Sequence, residues 1–107
     1  MEKRRAERYA LTPMEIPTQV PAYTLYMVRC SDATLYTGIT NNLEKRLQEH
    51  NTSDKGAKYT RFRRPVTLAY QEPCSDKSTA LKREIAVKKM TRSQKEALCI
   101  LRQSTLL

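Results

Sequence analysis

No apolar run in these 107 residues approaches the length that a bilayer-spanning helix needs. Met1 to Ala10 is charged and no apolar segment stands behind it, so a signal-peptide pattern is missing as well. There is no CxxC pair and only one histidine, which argues against a zinc site. The three cysteines, Cys30, Cys74 and Cys99, are odd in number and widely spaced; reduced thiols in a cytoplasmic protein are the plain reading. Negative charge is scarce too: 11 Asp and Glu stand against 20 Lys and Arg, a net charge of +9. A small domain with that imbalance calls for an anionic partner, nucleic acid first and an anionic membrane surface second. The cations are not confined to one amphipathic helix, which counts against the membrane. No internal repeat is visible, and the length and the 39% hydrophobic content fit one domain with a modest core.

What is present is organised around Thr24 to Thr40. Thr24-Leu25-Tyr26-Met27-Val28-Arg29-Cys30 and Thr34-Leu35-Tyr36-Thr37-Gly38-Ile39-Thr40 flank the polar break Ser31-Asp32-Ala33. Two such runs around a short polar loop read as a β-hairpin. A three-residue loop puts Val28 opposite Tyr36 and Tyr26 opposite Gly38, so Tyr26 and Tyr36 share one face. Gly38 opposite Tyr26 is expected to leave a gap where a ligand's backbone comes close.

Residues 1–21, with Lys3, Arg4, Arg5 and Arg8 and then Pro13, Pro17 and Pro21, read as a flexible basic leader. After the hairpin, Asn41 and Glu44 resemble a capping box before a helix over about Asn42 to His50. Leu43 and Leu47 form its packing stripe, and Asn51 suits its left-handed end. The loop from Asn51 to Pro65 is the most basic stretch, with Lys55, Lys58, Arg61, Arg63 and Arg64. These cations, with Lys82 and Lys88, are candidates for phosphate contacts, and Phe62 is expected to anchor the loop to the core. A solvated loop explains the same cations if the loop is taken alone. Val66 to Gln71 alternates as a third strand, with Val66, Leu68 and Tyr70 on one face and a turn over Pro73 to Asp76. A helix over Lys77 to Met90 follows, with Leu81 and Ile85 on its apolar face and Ala80 and Val87 beside them. Glu84 borders that face among cations, either paired in a salt bridge or ligating a cation. Thr91/Gln94 or Ser93/Glu96 caps a last helix with Ala97, Leu98 and Leu101 buried, and 104–107 form a tail. The order β-β-α-β-α-α makes a small α/β domain: a three-stranded antiparallel sheet flanked by helices, over residues 22–103.

Thr24-Leu25-Tyr26 and Tyr36-Thr37-Gly38 resemble the two half-motifs of the GIY-YIG nuclease superfamily. Leu43 to His50 resembles its next motif, and Gly56-Ala57-Lys58-Tyr59-Thr60-Arg61 resembles the short, stand-alone bacterial branch often called YhbQ-like. The first half-motif begins Thr-Leu in place of Gly-Ile. The resemblance implies metal-dependent endonuclease activity on nucleic acid, DNA ahead of RNA, with loose sequence preference, in DNA repair or processing. It implies Tyr26, Tyr36, Arg46, His50 and Glu84 as catalytic residues, Gly38 as structural at the site, and Glu84 as the ligand of one Mg²⁺ or Mn²⁺. The Asn that many members carry after the glutamate has no counterpart; Gln94 and Glu96 are the nearby polar residues. With no second domain visible, specificity is loose or comes from a protein partner. The chemistry needs a group to take the proton of the attacking water, Tyr26, Tyr36 or His50, with Tyr26 favoured. The alternative is a nucleic-acid-binding module that kept the fold without catalysis; the acidic Glu84 in a basic site speaks for the enzyme.

Overall fold

A computed structural model describes residues 22–106; the expected leader, residues 1–21, lies outside the described residues. The elements run β1 (Tyr23–Arg29), β2 (Leu35–Thr40), α1 (Leu43–Thr52), α2 (Lys58–Arg61), β3 (Thr67–Cys74), α3 (Lys77–Lys88) and α4 (Arg92–Leu106). The strands form one antiparallel sheet in the order β2-β1-β3. This is the expected α/β architecture with one addition: α2, a single turn inside the basic loop, carries no amphipathic period that would announce it. Residues 104–106 continue α4 and do not form the expected tail.

The hairpin follows from its loop. Cys30 and Thr34 close it, with Cys30 N–H on Thr34 O at 2.8 Å and Ala33 N–H on Cys30 O at 2.9 Å. Ala33 takes the left-handed conformation, φ 71, that ends a three-residue hairpin loop. The Asp32 carboxylate accepts from the Thr34 N–H and hydroxyl. That loop length sets Val28 opposite Tyr36 and Tyr26 opposite Gly38, as the sequence predicts.

Side-chain alternation then divides the core in two. Leu25 and Met27 face one way and pack with Cys74, Ala80, Val87 and Cys99, under α3 and α4. Tyr26, Val28 and Cys30 face the other way with Val66, Tyr36, Leu43 and Leu47, under α1. The third strand departs from its expected alternation. Its pairing jumps from Met27–Tyr70 to Val28–Leu68, so Ala69 is bulged out of the ladder. One extra residue reverses the faces beyond it, which turns Tyr70 away from Val66 and Leu68 and onto the α3 side. The strand also runs through Pro73 to Cys74, where a turn was expected. β3 is an edge strand, and an edge tolerates a missing N–H.

The helices hold four further corrections. The cap of α1 is Asn42, one residue after the expected Asn41; its side chain accepts from Lys45 N–H at 3.1 Å. Asn51 does not end that helix, which continues to Thr52. In α3 the sheet-facing row is Ala80, Glu84 and Val87, spaced at four and three residues. Leu81 and Ile85 lie one step round the helix, 42% and 56% exposed. In α4, Cys99 is the buried residue and Leu98 packs beside it, while Ala97 and Leu101 are exposed. Thr91 and Gln94 cap it reciprocally.

Asn51 has a different task. Its amide accepts from Val66 N–H at 2.7 Å and donates to Val66 O at 2.9 Å, locking the end of the basic loop onto α1. Val66 is buried, so both backbone groups would lose their partners in Asn51→Ala. The expected loss is about 2–4 kcal/mol of unfolding free energy in urea denaturation, the sum of two unsatisfied polar groups. Asn51→Asp keeps the acceptor and should lose less.

Candidate active site

Tyr26 leaves the middle of β1 and its ring crosses over Gly38 on β2. A Cβ at Gly38 would stand 2.6 Å from the Tyr26 hydroxyl and 2.8 Å from Cζ. The gap expected at Gly38 is therefore filled by Tyr26 itself and does not admit a ligand backbone. The crossing carries the phenol to the β2 edge of the sheet, where α1 brings His50. Tyr26 Oη and His50 Nε2 are 2.7 Å apart, and both residues are buried. Tyr36 sits on the same face, its ring edge-on to His50 with centroids 5.4 Å apart. Arg46, one turn before His50 on α1, lies beside the Tyr26 hydroxyl. Its Nη1 bonds Glu49 Oε1 and Lys55 O, each at 2.9 Å.

Burial pushes the Tyr26 phenol up to about 12, and the Arg46 guanidinium pulls partly against it. The same two causes act together on His50: burial and then the Arg46 charge lower it from the usual 6.5 to about 4. At neutral pH the pair is therefore a phenol against a neutral imidazole.

Glu84 stands on α3, on the other face of the sheet, and is linked to this cluster through its charge. Its carboxylate opposes ionisation of Tyr26, and its Oε2 lies 3.3 Å from Lys88 Nζ. Among the described residues no three His, Cys, Asp or Glu side chains gather as a metal site. One carboxylate whose neighbours are mostly cations suits a hard cation that takes most of its oxygen ligands from elsewhere than the protein. It does not suit a metal caged by protein alone.

The expected phosphate contacts divide into two groups. Arg64 donates to the carbonyls of Glu49, His50 and Ser53 and so caps the end of α1. Arg61 holds Asp54 O. Arg63 binds Tyr59 O and Asp32 and lies 3.9 Å over the Tyr59 ring. These three arginines are engaged inside the fold because guanidinium offers several donors at once for backbone oxygens. Lys88 pairs with Glu84. Lys55, Lys58 and Lys82 are exposed. Phe62, expected as the anchor, is 86% exposed. Tyr59 does the anchoring, stacked on Tyr36 at 5.9 Å. Gln94 is used by the α4 cap and Glu96 by a two-pronged ion pair with Arg29, at 2.8 and 2.7 Å. Neither substitutes for the missing Asn.

One site neighbour lies inside the Gly56 to Arg61 stretch but is not among the expected site residues. Thr60 of α2 is fully buried, with its Oγ1 2.9 Å from His50 Nδ1. Gly56 lets the loop descend that far: a Cβ there would stand 2.6 Å from Glu49 O and 3.0 Å from His50 Cα.

The sequence pattern of the GIY-YIG catalytic domain matches residues 22–97. The chain is 54% identical over 81 residues to UPF0213 protein DP2720 of Desulfotalea psychrophila, covering 76% of this chain and 74% of that protein. It is 51% identical over 74 residues to UPF0213 protein VNG_2274C of Halobacterium salinarum, covering 69% and 95%. Among solved structures, the solution structure of protein EF2693 from E. faecalis superposes with a TM-score of 0.53 at 42% identity, over 79% of this chain and 88% of that one.

Two measurements check the geometry. Gly38→Ala pushes a methyl into a hydroxyl that cannot swing away while it bonds His50. It should cost about 1–3 kcal/mol, as overpacking does, and it should shift the Tyr26 and His50 ring resonances together. His50, followed by NMR, should titrate near 4. Because the folded value lies below the unfolded one, the unfolded chain binds the proton first. Stability from this residue is therefore complete above about pH 6.5 and declines as pH falls towards 4. Urea denaturation across that window should show the decline, and His50→Gln should flatten it.

Proposed function

The chain belongs to the GIY-YIG family, and on that premise we propose that it is a nuclease that hydrolyses phosphodiester bonds, DNA first, with one divalent metal ion. The observation that carries the reading is the buried Tyr26–His50 pair beside Arg46. A surface that only binds nucleic acid needs exposed cations. It does not need a phenol and an imidazole removed from water, a burial cost that their mutual hydrogen bond only offsets.

Hydrolysis requires a water to lose a proton as it attacks phosphorus, and the growing charge on the phosphoryl oxygens to be met. Arg46 can hold a phosphate oxygen with the donors left over, since Nη1 is spent on Glu49 and Lys55 and the guanidinium also faces the Tyr26 oxygen. A phosphodiester docked there cancels part of the positive field that holds His50 low. His50 then becomes a better proton acceptor when substrate is present. The Tyr26 oxygen takes the proton of the attacking water while its own proton passes to His50 Nε2. A phenol pushed up to about 12 does not ionise first at neutral pH, so the two transfers must be concerted. Tyr36 flanks the imidazole and holds its plane. Glu84 would hold the metal, which when bound supplies positive charge to the phosphoryl and leaving oxygens. Lys55, Lys58 and Lys82 are left to attract the phosphate backbone, without reading base sequence.

The test pairs activity with stability. Purified protein is incubated with labelled single- and double-stranded DNA and RNA, with and without Mg²⁺ or Mn²⁺. Glu84→Gln should lower metal-dependent cleavage by roughly two orders of magnitude or more, the scale of losing one electrostatic catalytic group. Its melting temperature should stay close to wild type, because the partner lost is an exposed lysine. Full activity in the folded variant would reject the metal role. Wild type that binds all four substrates and cleaves none would establish the binding module instead.

A further inference from the structure

We propose that Thr60 is a positioning residue that decides which nitrogen of His50 carries the proton, and thereby points the Tyr26 proton at the ring. The catalytic half of this inference rests on the nuclease reading; the placement of the proton does not.

The argument is a count of hydrogens. Thr60 Oγ1 has two polar neighbours, Ala57 O at 3.0 Å and His50 Nδ1 at 2.9 Å. A carbonyl oxygen only accepts, so the single hydroxyl proton goes to Ala57. What Thr60 then presents to His50 is a lone pair. Two lone pairs at that distance repel, so Nδ1 must carry the ring hydrogen. His50 and Thr60 are both 0% exposed, and bulk water offers no other partner. A neutral ring with Nδ1–H has a bare Nε2, which accepts the Tyr26 O–H at 2.7 Å. Arg46 has only donors, so it faces one lone pair of the phenol oxygen and leaves the other open. Every proton in the chain Tyr26, His50, Thr60, Ala57 thus points the same way. The reverse tautomer would make Nε2–H a donor to Tyr26, and the phenol could not pass its proton to the ring.

The anchoring of Thr60 supports a positioning role. Its own N–H and that of Arg61 also bond Ala57 O, each at 3.1 Å, so the accepting carbonyl is fixed in the turn of α2. Arg64 and Asn51 hold the facing end of α1.

His50 is the single histidine of the chain, so long-range ¹⁵N–¹H NMR at neutral pH reads its tautomer without assignment. Wild type should show a pyrrole-like Nδ1 and a pyridine-like Nε2. Thr60→Val keeps the shape but has no lone pair for Nδ1–H; the ring should move to Nε2–H or to a mixture. In cleavage assays kcat should fall by roughly 10- to 100-fold, within the range that general acid–base groups supply, with KM little changed. Thr60→Ser should restore both the tautomer and kcat. An Nε2–H ring in wild type overturns the proposal, and that arm needs no variant to fold. A folded Thr60→Val protein that keeps Nδ1–H and full kcat overturns it as well. If the tautomer moves as expected but wild type cleaves nothing, the proton placement stands and the nuclease reading falls.

Discussion

A phenol bonded to an imidazole inside a small protein is the constraint that the surrounding structure answers. The Tyr26–His50 contact joins the central strand to α1. Burying such a pair is unfavourable unless its polar atoms find partners, and the neighbouring residues supply them or make room for them. Gly38 clears the path of the Tyr26 ring. Gly56 lets α2 descend until Thr60 meets the far nitrogen of the imidazole. Arg64 and Asn51 hold the end of α1 and the loop that follows. The two glycines of the chain are thus both spent on close approach around one hydrogen bond.

The positive charge has a division of labour that net charge alone conceals. Arg61 and Arg63 bind backbone oxygens and an aromatic ring of their own loop, and Arg64 binds the last carbonyls of α1. A planar group with several donors suits that task better than an ammonium. The exposed lysines keep their solvation and contribute a field. A loop that reads as five free cations is therefore in part a scaffold, built so that Thr60 and Tyr59 reach the site.

Glu84 illustrates how a helix can carry a carboxylate towards a sheet. The row Ala80, Glu84, Val87 faces β1 and β2, with small or slender residues on either side of the acid. The bulkier Leu81 and Ile85 are turned outward as a result. Lys88 one turn on neutralises part of the charge without enclosing it.

The sequence alone determined the hairpin, its three-residue loop, and hence the shared face of Tyr26 and Tyr36. Those follow from local turn chemistry and a period of two, which act over a few residues. It also determined the helical spacing of Arg46 and His50 and the order of the long elements. The bulge at Ala69 was beyond its reach, because pairing with β1 decides where an extra residue is absorbed. So was the orientation of α3, whose most apolar residues are not the buried ones. The contact of Thr60 with His50 was decided only by tertiary structure: nothing in the local pattern of α2 distinguishes a threonine that faces solvent from one that meets a histidine ten residues earlier. That meeting depends on the path of a loop, and the path is set by close approach of backbones that no sequence period records.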